Sequence, residues 1–187
     1  VLQSRGLGDV YKRQLPIQSN IFSLLNAYGL DLQSNLVTDQ ICGRVNVQQQ
    51  MGPIRMNVPI EYPLLPVIRN FNADESIVAG LEQMQLIFAS EIKQDSASMG
   101  FVNFQPLFYT SDNSGELRGN FNLNPDPQQN PFMRIFNKSK LILGARSEKK
   151  NSNGSVSQVI LVGDSEFISD EGGGSCLLYT SDAADDP

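Results

Sequence analysis

Apolar residues change their spacing several times along the chain, and each change marks an expected element. Between Ser19 and Gly29, Ile21, Leu24, Leu25 and Tyr28 fall at i, i+3, i+4 and i+7, one face of an α-helix. Ser19 or Asn20 supplies a capping side chain at its start, and Gly29 a stop. Asn35 to Asp39 predicts a short strand. Val45 and Val47 then alternate with polar residues, as do Ile54, Met56 and Val58 beyond Gly52-Pro53. A period of two on both sides of a turn signal predicts an antiparallel hairpin with one wet face. The three prolines between Pro59 and Phe71 predict an extended connection over the surface, pinned down by Leu64, Leu65, Val67 and Ile68.

Further along, Asp74 to Leu81 predicts a short helix capped by Asp74, and Met84 to Ser90 a strand. Phe101 to Thr110 predicts another strand, broken by the turn chemistry of Thr110-Ser111-Asp112-Asn113-Ser114-Gly115. Asn120 to Gln129 is rich in Asn and Pro and predicts a loop, and Pro131 to Asn137 a helical turn or two. Two continuous apolar runs follow, Lys140 to Ala145 and Val156 to Val162, with the polar stretch Lys149 to Ser155 between them. Such runs suit strands buried on both faces, as in a parallel sheet covered by helices. The expected fold class is therefore α/β, an open and mostly parallel sheet with a β-hairpin excursion.

The two ends carry a different signal. Asp9-Val10-Tyr11-Lys12-Arg13-Gln14 back-translates to GAT GTG TAT AAG AGA CAG. Its reverse complement, read one base later, encodes Cys-Leu-Leu-Tyr-Thr-Ser, the string at Cys176 to Ser181. Both ends resemble translated sequencing adapters, so 1–14 and 176–187 are expected to be adapter-derived and are set aside from fold reasoning. The segment 15–175 is then expected to be a fragment of one domain from a longer gene. Removing the end charges leaves the acidic balance of the chain, net −6 overall, in place. There is no basic footprint for nucleic acid, and no apolar run reaches the ~18 residues that span a bilayer.

The sequence has no His. That excludes Ser-His-Asp and Cys-His triads and His-ligated metals within it. No catalytic residue, metal ligand or cofactor is expected. With Cys176 set aside, Cys42 stands alone and is expected to be a small, buried hydrophobe. Two strand-end segments are the candidate ligand or partner sites. Thr110, Ser111, Asp112 and Ser114 offer hydroxyls and backbone N–H groups to an anion. Asp164, Ser165 and Glu166, after Gly163, lie where open α/β sheets gather ligands. The bland alternative for both is turn and cap chemistry. The string Gly163-Asp164-Ser165 also invites comparison with serine hydrolases of the GDS type, but those need a His.

Read in order, several segments resemble one family: Asn26-Ala27-Tyr28-Gly29-Leu30, Asn35 to Asp39, Val47 to Gln50 with Gly52, Tyr62-Pro63 through Pro66-Val67-Ile68 to Asn70-Phe71-Asn72, Leu107 to Ser111 with Ser114-Gly115, and Val162 to Phe167. Together they are similar to the GldG-like auxiliary components of ABC transporters associated with bacterial gliding motility. The resemblance implies an extracytoplasmic domain of flavodoxin-like, class I glutamine-amidotransferase-like type, its sheet incomplete in this fragment. It also implies ATPase and permease subunits as partners, and a position at the periplasmic face of the inner membrane, anchored by segments absent from 15–175. A non-enzymatic role follows from it. Two alternatives stay open: an amidotransferase-like or carbohydrate-active enzyme domain whose catalytic residues lie elsewhere, and a purely structural assembly module.

Overall fold

A computed structural model describes residues 20–51, 54–119, 121–164 and 166–167. The expected adapter segments 1–14 and 176–187, the turn at Gly52-Pro53, Ser19 and Ser165 lie outside the described residues. A short helix α1 (Ile21–Ala27) leads into β1 (Leu30–Leu32), β2 (Asn35–Asp39) and a long pair, β3 (Cys42–Met51) and β4 (Ile54–Ile68). Then come β5 (Asn70–Phe71), β6 (Met84–Gln85), β7 (Ile92–Gln94), β8 (Val102–Tyr109), β9 (Ser114–Arg118), β10 (Ile142–Lys150) and β11 (Val156–Val162). The sheets are β11-β10-β8-β5, β3-β4-β6, β2-β9 and β1-β7.

Every strand ladder among the described residues is antiparallel. The expected open, mostly parallel α/β sheet of flavodoxin-like type is therefore wrong, and the fold is mostly β. The reason lies in the connection between the two apolar runs. A parallel crossover takes a dozen or more residues, whereas β10 and β11 are joined by Asn151 to Ser155, closed by Asn151 N–H donating to Ser155 O at 2.8 Å. A linker that short makes a hairpin, in which Lys150 faces Val156 and Gly144 faces Val162. Nor are both runs covered on two faces. The first is buried because Leu141 and Leu143 pack into one apolar cluster and Ala145 into another. The second alternates, with Val156 and Ile160 exposed.

Other expectations fare better. The β3–β4 hairpin forms with Val45 opposite Ile60 and Val47 opposite Val58. The proline-rich stretch is extended, as expected, but it is core and not surface: Tyr62, Leu64, Leu65 and Ile68 are buried. β4 accommodates Pro63 because its register with β3 slips between Arg44–Glu61 and Cys42–Pro66, so that Pro63 falls in a bulge that needs no ladder donor. The expected helix at Asp74 to Leu81 reduces to a single 3₁₀ turn at Ser76–Val78. α1 ends as expected at Gly29, whose φ of +71° costs a residue without Cβ nothing.

The sheets are joined by one extended segment, Met84 to Gln94. Leu86 N–H donates to Pro66 O and Phe88 N–H to Leu64 O, continuing the contact with β4. At Phe88 the backbone turns left-handed, with φ 52°. The segment then changes partner: Val37 N–H donates to Ala89 O and Gln33 N–H to Glu91 O. Its other edge is also used, since Ser90 N–H donates to Gly163 O at the end of β11, and β7 finally pairs with β1.

The same segment contributes to all three apolar clusters. Met84, Leu86 and Ala89 pack with Val37, Ile68, Leu107, Phe108 and Leu143. Ile87 and Phe88 flank Leu36, Tyr62, Leu64 and Met133, with the Phe88 ring edge-on to Tyr62 at 6.2 Å. Ile92 packs with Leu25, Leu30 and Ala145. A fully buried leucine contributes roughly 1.5–3 kcal/mol, enough to offset the ~1–2 kcal/mol of a left-handed Phe88.

Candidate functional site

Both segments chosen from the sequence lie at one end of the four-stranded sheet, because β8 and β11 flank β10 and each runs antiparallel to it. Their side chains are largely engaged in holding turns. Asp39, fully buried at the end of β2, accepts from Ser111 N–H at 2.7 Å, Ser111 Oγ at 2.6 Å and Ile41 N–H at 2.8 Å. Thr110 Oγ1 accepts from Leu141 N–H at 2.8 Å and lies 3.0 Å from Ser114 Oγ. Asp112 is exposed, near Ser139 Oγ and Lys140 Nζ. Asp164 is buried and accepts from Ile87 N–H and Glu166 N–H, both at 2.8 Å, which ties the end of β11 to the joining segment. Glu166 is exposed, and Ser165 lies outside the described residues.

The turn at Thr110 to Ser114 supports a neighbouring cleft. Ser114 and Lys138 exchange both backbone hydrogen bonds, at 3.0 and 2.8 Å, which fixes Lys138 against β9. Gly115 allows the chain to fold over the strand there: a Cβ on it would sit 2.1 Å from Ile135 O. Beyond this crossing, β9 and the 130–138 segment diverge. Between them opens a cleft of ≈ 540 Å³ lined by Glu116, Leu117, Arg118, Asn122, Asn130, Phe132, Ile135, Asn137 and Lys138. That volume suits a small ligand or a few residues of peptide.

The lining residues Asn122 and Asn130 are held in place by serial Asx turns. Asn124 N–H donates to Asn122 Oδ1, Asp126 N–H to Asn124 Oδ1, and Gln128 N–H to Asp126 Oδ1, each two residues apart. Buried Asn130 closes the loop by donating to Asn122 O and Asn124 O. Tyr62 Oη donates to Leu123 O at 2.7 Å and pins the loop to β4; burial pushes that hydroxyl's pKa upward.

Glu116, Arg118 and Lys138 of the lining belong to an ion network that continues beyond the cleft. Buried Asn35 donates to Glu116 Oε2 at 2.7 Å and Glu91 Oε2 at 3.3 Å, and accepts from Glu91 N–H. Arg118 meets Glu116 at 2.7 Å and Glu91 at 3.9 Å, Lys138 meets Glu116 at 3.6 Å, and Lys93 meets Glu91 at 3.5 Å. Of these groups Glu116, Arg118 and Lys138 line the cleft, one carboxylate against two cations, so one positive charge is left over there. The Arg118 hydrogen bond is the largest cause holding the Glu116 carboxyl down at about 2, against partial desolvation and with help from Asn35 and Lys138. The guanidinium is in turn raised by Glu116.

None of Glu116, Arg118, Asn130, Phe132 and Lys138 was singled out from the sequence. The available signal was Ser114 to Arg118, where Glu116 and Arg118 alternate around Leu117 as on a short strand. Ser114-Gly115 reads more readily as the end of a turn. Cys42 is half-buried, and desolvation, reinforced by Glu61, raises its thiol pKa away from reactivity. Among the described residues no group of three or more His, Cys, Asp or Glu is placed to hold a metal ion, and no helix is long and apolar enough to cross a membrane.

Comparison with known proteins gives one family. The model of that family, described as an ABC-type uncharacterized transport system, matches residues 2–179. No curated protein and no solved structure matches.

Two outcomes are expected. Asp39→Ala strands three donors in a buried corner and lowers stability by roughly 2–3 kcal/mol, read as a shift in the urea midpoint at constant slope. Glu116 has a folded pKa of about 2 against an ordinary 4.5. Its contribution is present above pH 4.5 and is lost as the pH falls toward 2. Stability measured by chemical denaturation across that window falls in the wild type, and the fall is shallower in Glu116→Gln.

Proposed function

The chain belongs to the auxiliary-component family of ABC-type transport systems, and from that premise we propose that it is a non-enzymatic component whose 116–138 cleft receives a polar, negatively charged ligand or partner segment. The cleft itself carries this reading: it combines a surplus cation, exposed Phe132 and a wall fixed by buried Asn130. A preformed wall spares the ordering cost of binding, and the surplus charge sets the sign of the ligand. The non-enzymatic role is supported by the absence of His from the sequence and by the engagement of Asp39 and Asp164 with backbone donors. The partners are the ATPase and permease subunits of the transport system. The place of work is the extracytoplasmic face of the membrane, in a system linked to gliding motility, as the family resemblance of the sequence implies.

Affinity purification of the tagged chain from detergent-solubilised membranes of its native cell tests this. ATPase and permease subunits should copurify, and Arg118→Gln with Lys138→Gln, which removes the two charges without reversing them, should lower their yield at least tenfold, with the urea midpoint measured alongside as the folding control. Absence of both subunits from the wild-type eluate would contradict the partner assignment. Full retention by the double variant would remove the cleft from the contact.

A further inference from the structure

β11 is the outer strand of the four-stranded sheet, and among the described residues nothing pairs with its free side along Val156–Val162. The direction of its backbone groups follows from its partner. Gly163 N–H donates to Leu143 O and Asn151 N–H to Ser155 O, so the odd-numbered residues turn toward β10. Val156, Gln158, Ile160 and Val162 therefore point their N–H and C=O groups outward.

Edge strands are ordinarily protected by charge, proline or a bulge. β11 has none of these: Val-Ser-Gln-Val-Ile-Leu-Val contains no ionisable residue and no Pro, and its register with β10 is continuous over seven pairs. The charges of this hairpin, Arg146, Glu148, Lys149 and Lys150, sit instead on inner strand β10. By contrast the other long edge, β3, carries Arg44 and a run of polar side chains. The solvent face of β11 carries Val156, 58% exposed, and Ile160, 50% exposed, on either side of neutral Gln158.

We propose that the free edge of β11 pairs antiparallel with the β11 edge of a second copy of this chain, joining two four-stranded sheets across a twofold axis at Val159. The strand is self-complementary in this register. Val156 falls opposite Val162 and Gln158 opposite Ile160, and all four are outward-pointing residues, so every free N–H meets a free C=O. The neutral sequence brings no like charges together, and the isologous contact closes at two copies. This surface lies on a different element from the cleft and does not depend on the ligand reading.

Sedimentation velocity on the full chain, over roughly 1 µM to 1 mM where small interfaces saturate, should show a monomer–dimer equilibrium. Ile160→Pro deletes an outward N–H and leaves the β10 ladder its donors; it should return the chain to monomer. In a Cys42→Ser, Cys176→Ser background, Val159→Cys should form an intermolecular disulfide on mild oxidation, because facing residues in a non-hydrogen-bonded pair lie ~4.5 Å apart at Cα. A wild type that sediments as monomer throughout overturns the proposal, as does a dimer in which Val159→Cys gives no link.

Discussion

The backbone of Met84 to Gln94 must satisfy strands that belong to different sheets, and the fold depends on that. Leu86 and Phe88 bind β4, Ala89 accepts from Val37 on β2 and Glu91 from Gln33 just before it, Ser90 binds the end of β11, and Ile87 donates to the Asp164 carboxylate. A buried peptide group without a partner costs about as much as a lost hydrogen bond. Moving this segment would therefore orphan groups on three sheets together. The left-handed turn at Phe88 is where the segment changes partner, and the Tyr62 ring beside it shows what holds that turn in place.

The cleft inherits its geometry from this joint. Glu91 sits on the joining segment and Glu116 on β9, and Asn35 on β2 hydrogen-bonds both carboxylates. Two carboxylates so close repel unless cations answer them. Arg118 and Lys138 answer Glu116 and, with Asn35, hold its carboxyl below the usual range, while Lys93 answers Glu91. The surplus positive charge that suggests a ligand is thus a by-product of a network that also fastens β2, β7 and β9. Function and stability share these side chains, which is why single charge reversals in the cleft need a folding control.

Local elements were legible in the sequence where period and punctuation agreed. β2 and β11 have the bounds that their composition suggests, and the β3–β4 register follows from alternating valines. The sheet type was misread because apolar content was weighed above loop length: the five residues from Asn151 to Ser155 already forbade a parallel crossover. β1 and β7 are too short to show a period, and the start of β9 at Ser114-Gly115 reads as the end of a turn. Thr110, Ser111, Ser114 and Asp164 stood out as candidate ligand or partner residues, and their side chains are engaged in holding turns; a turn residue and a ligand-binding residue look alike in one dimension. The cleft walls come from positions more than ten residues apart, Arg118 on β9 and Asn130 and Lys138 beyond the loop, and nothing in a single sequence announces that meeting.

Amide hydrogen exchange under native conditions, resolved residue by residue, tests the joint most directly. If the joining segment is what the sheets depend on, Leu86, Ile87, Phe88 and Ser90 exchange only through global unfolding, with protection equal to that of Leu107 and Leu143 in the main sheet. Fast exchange at Leu86 to Ser90, with β8 and β10 still protected, would show that the sheets stand without the segment and would contradict the central role assigned to it.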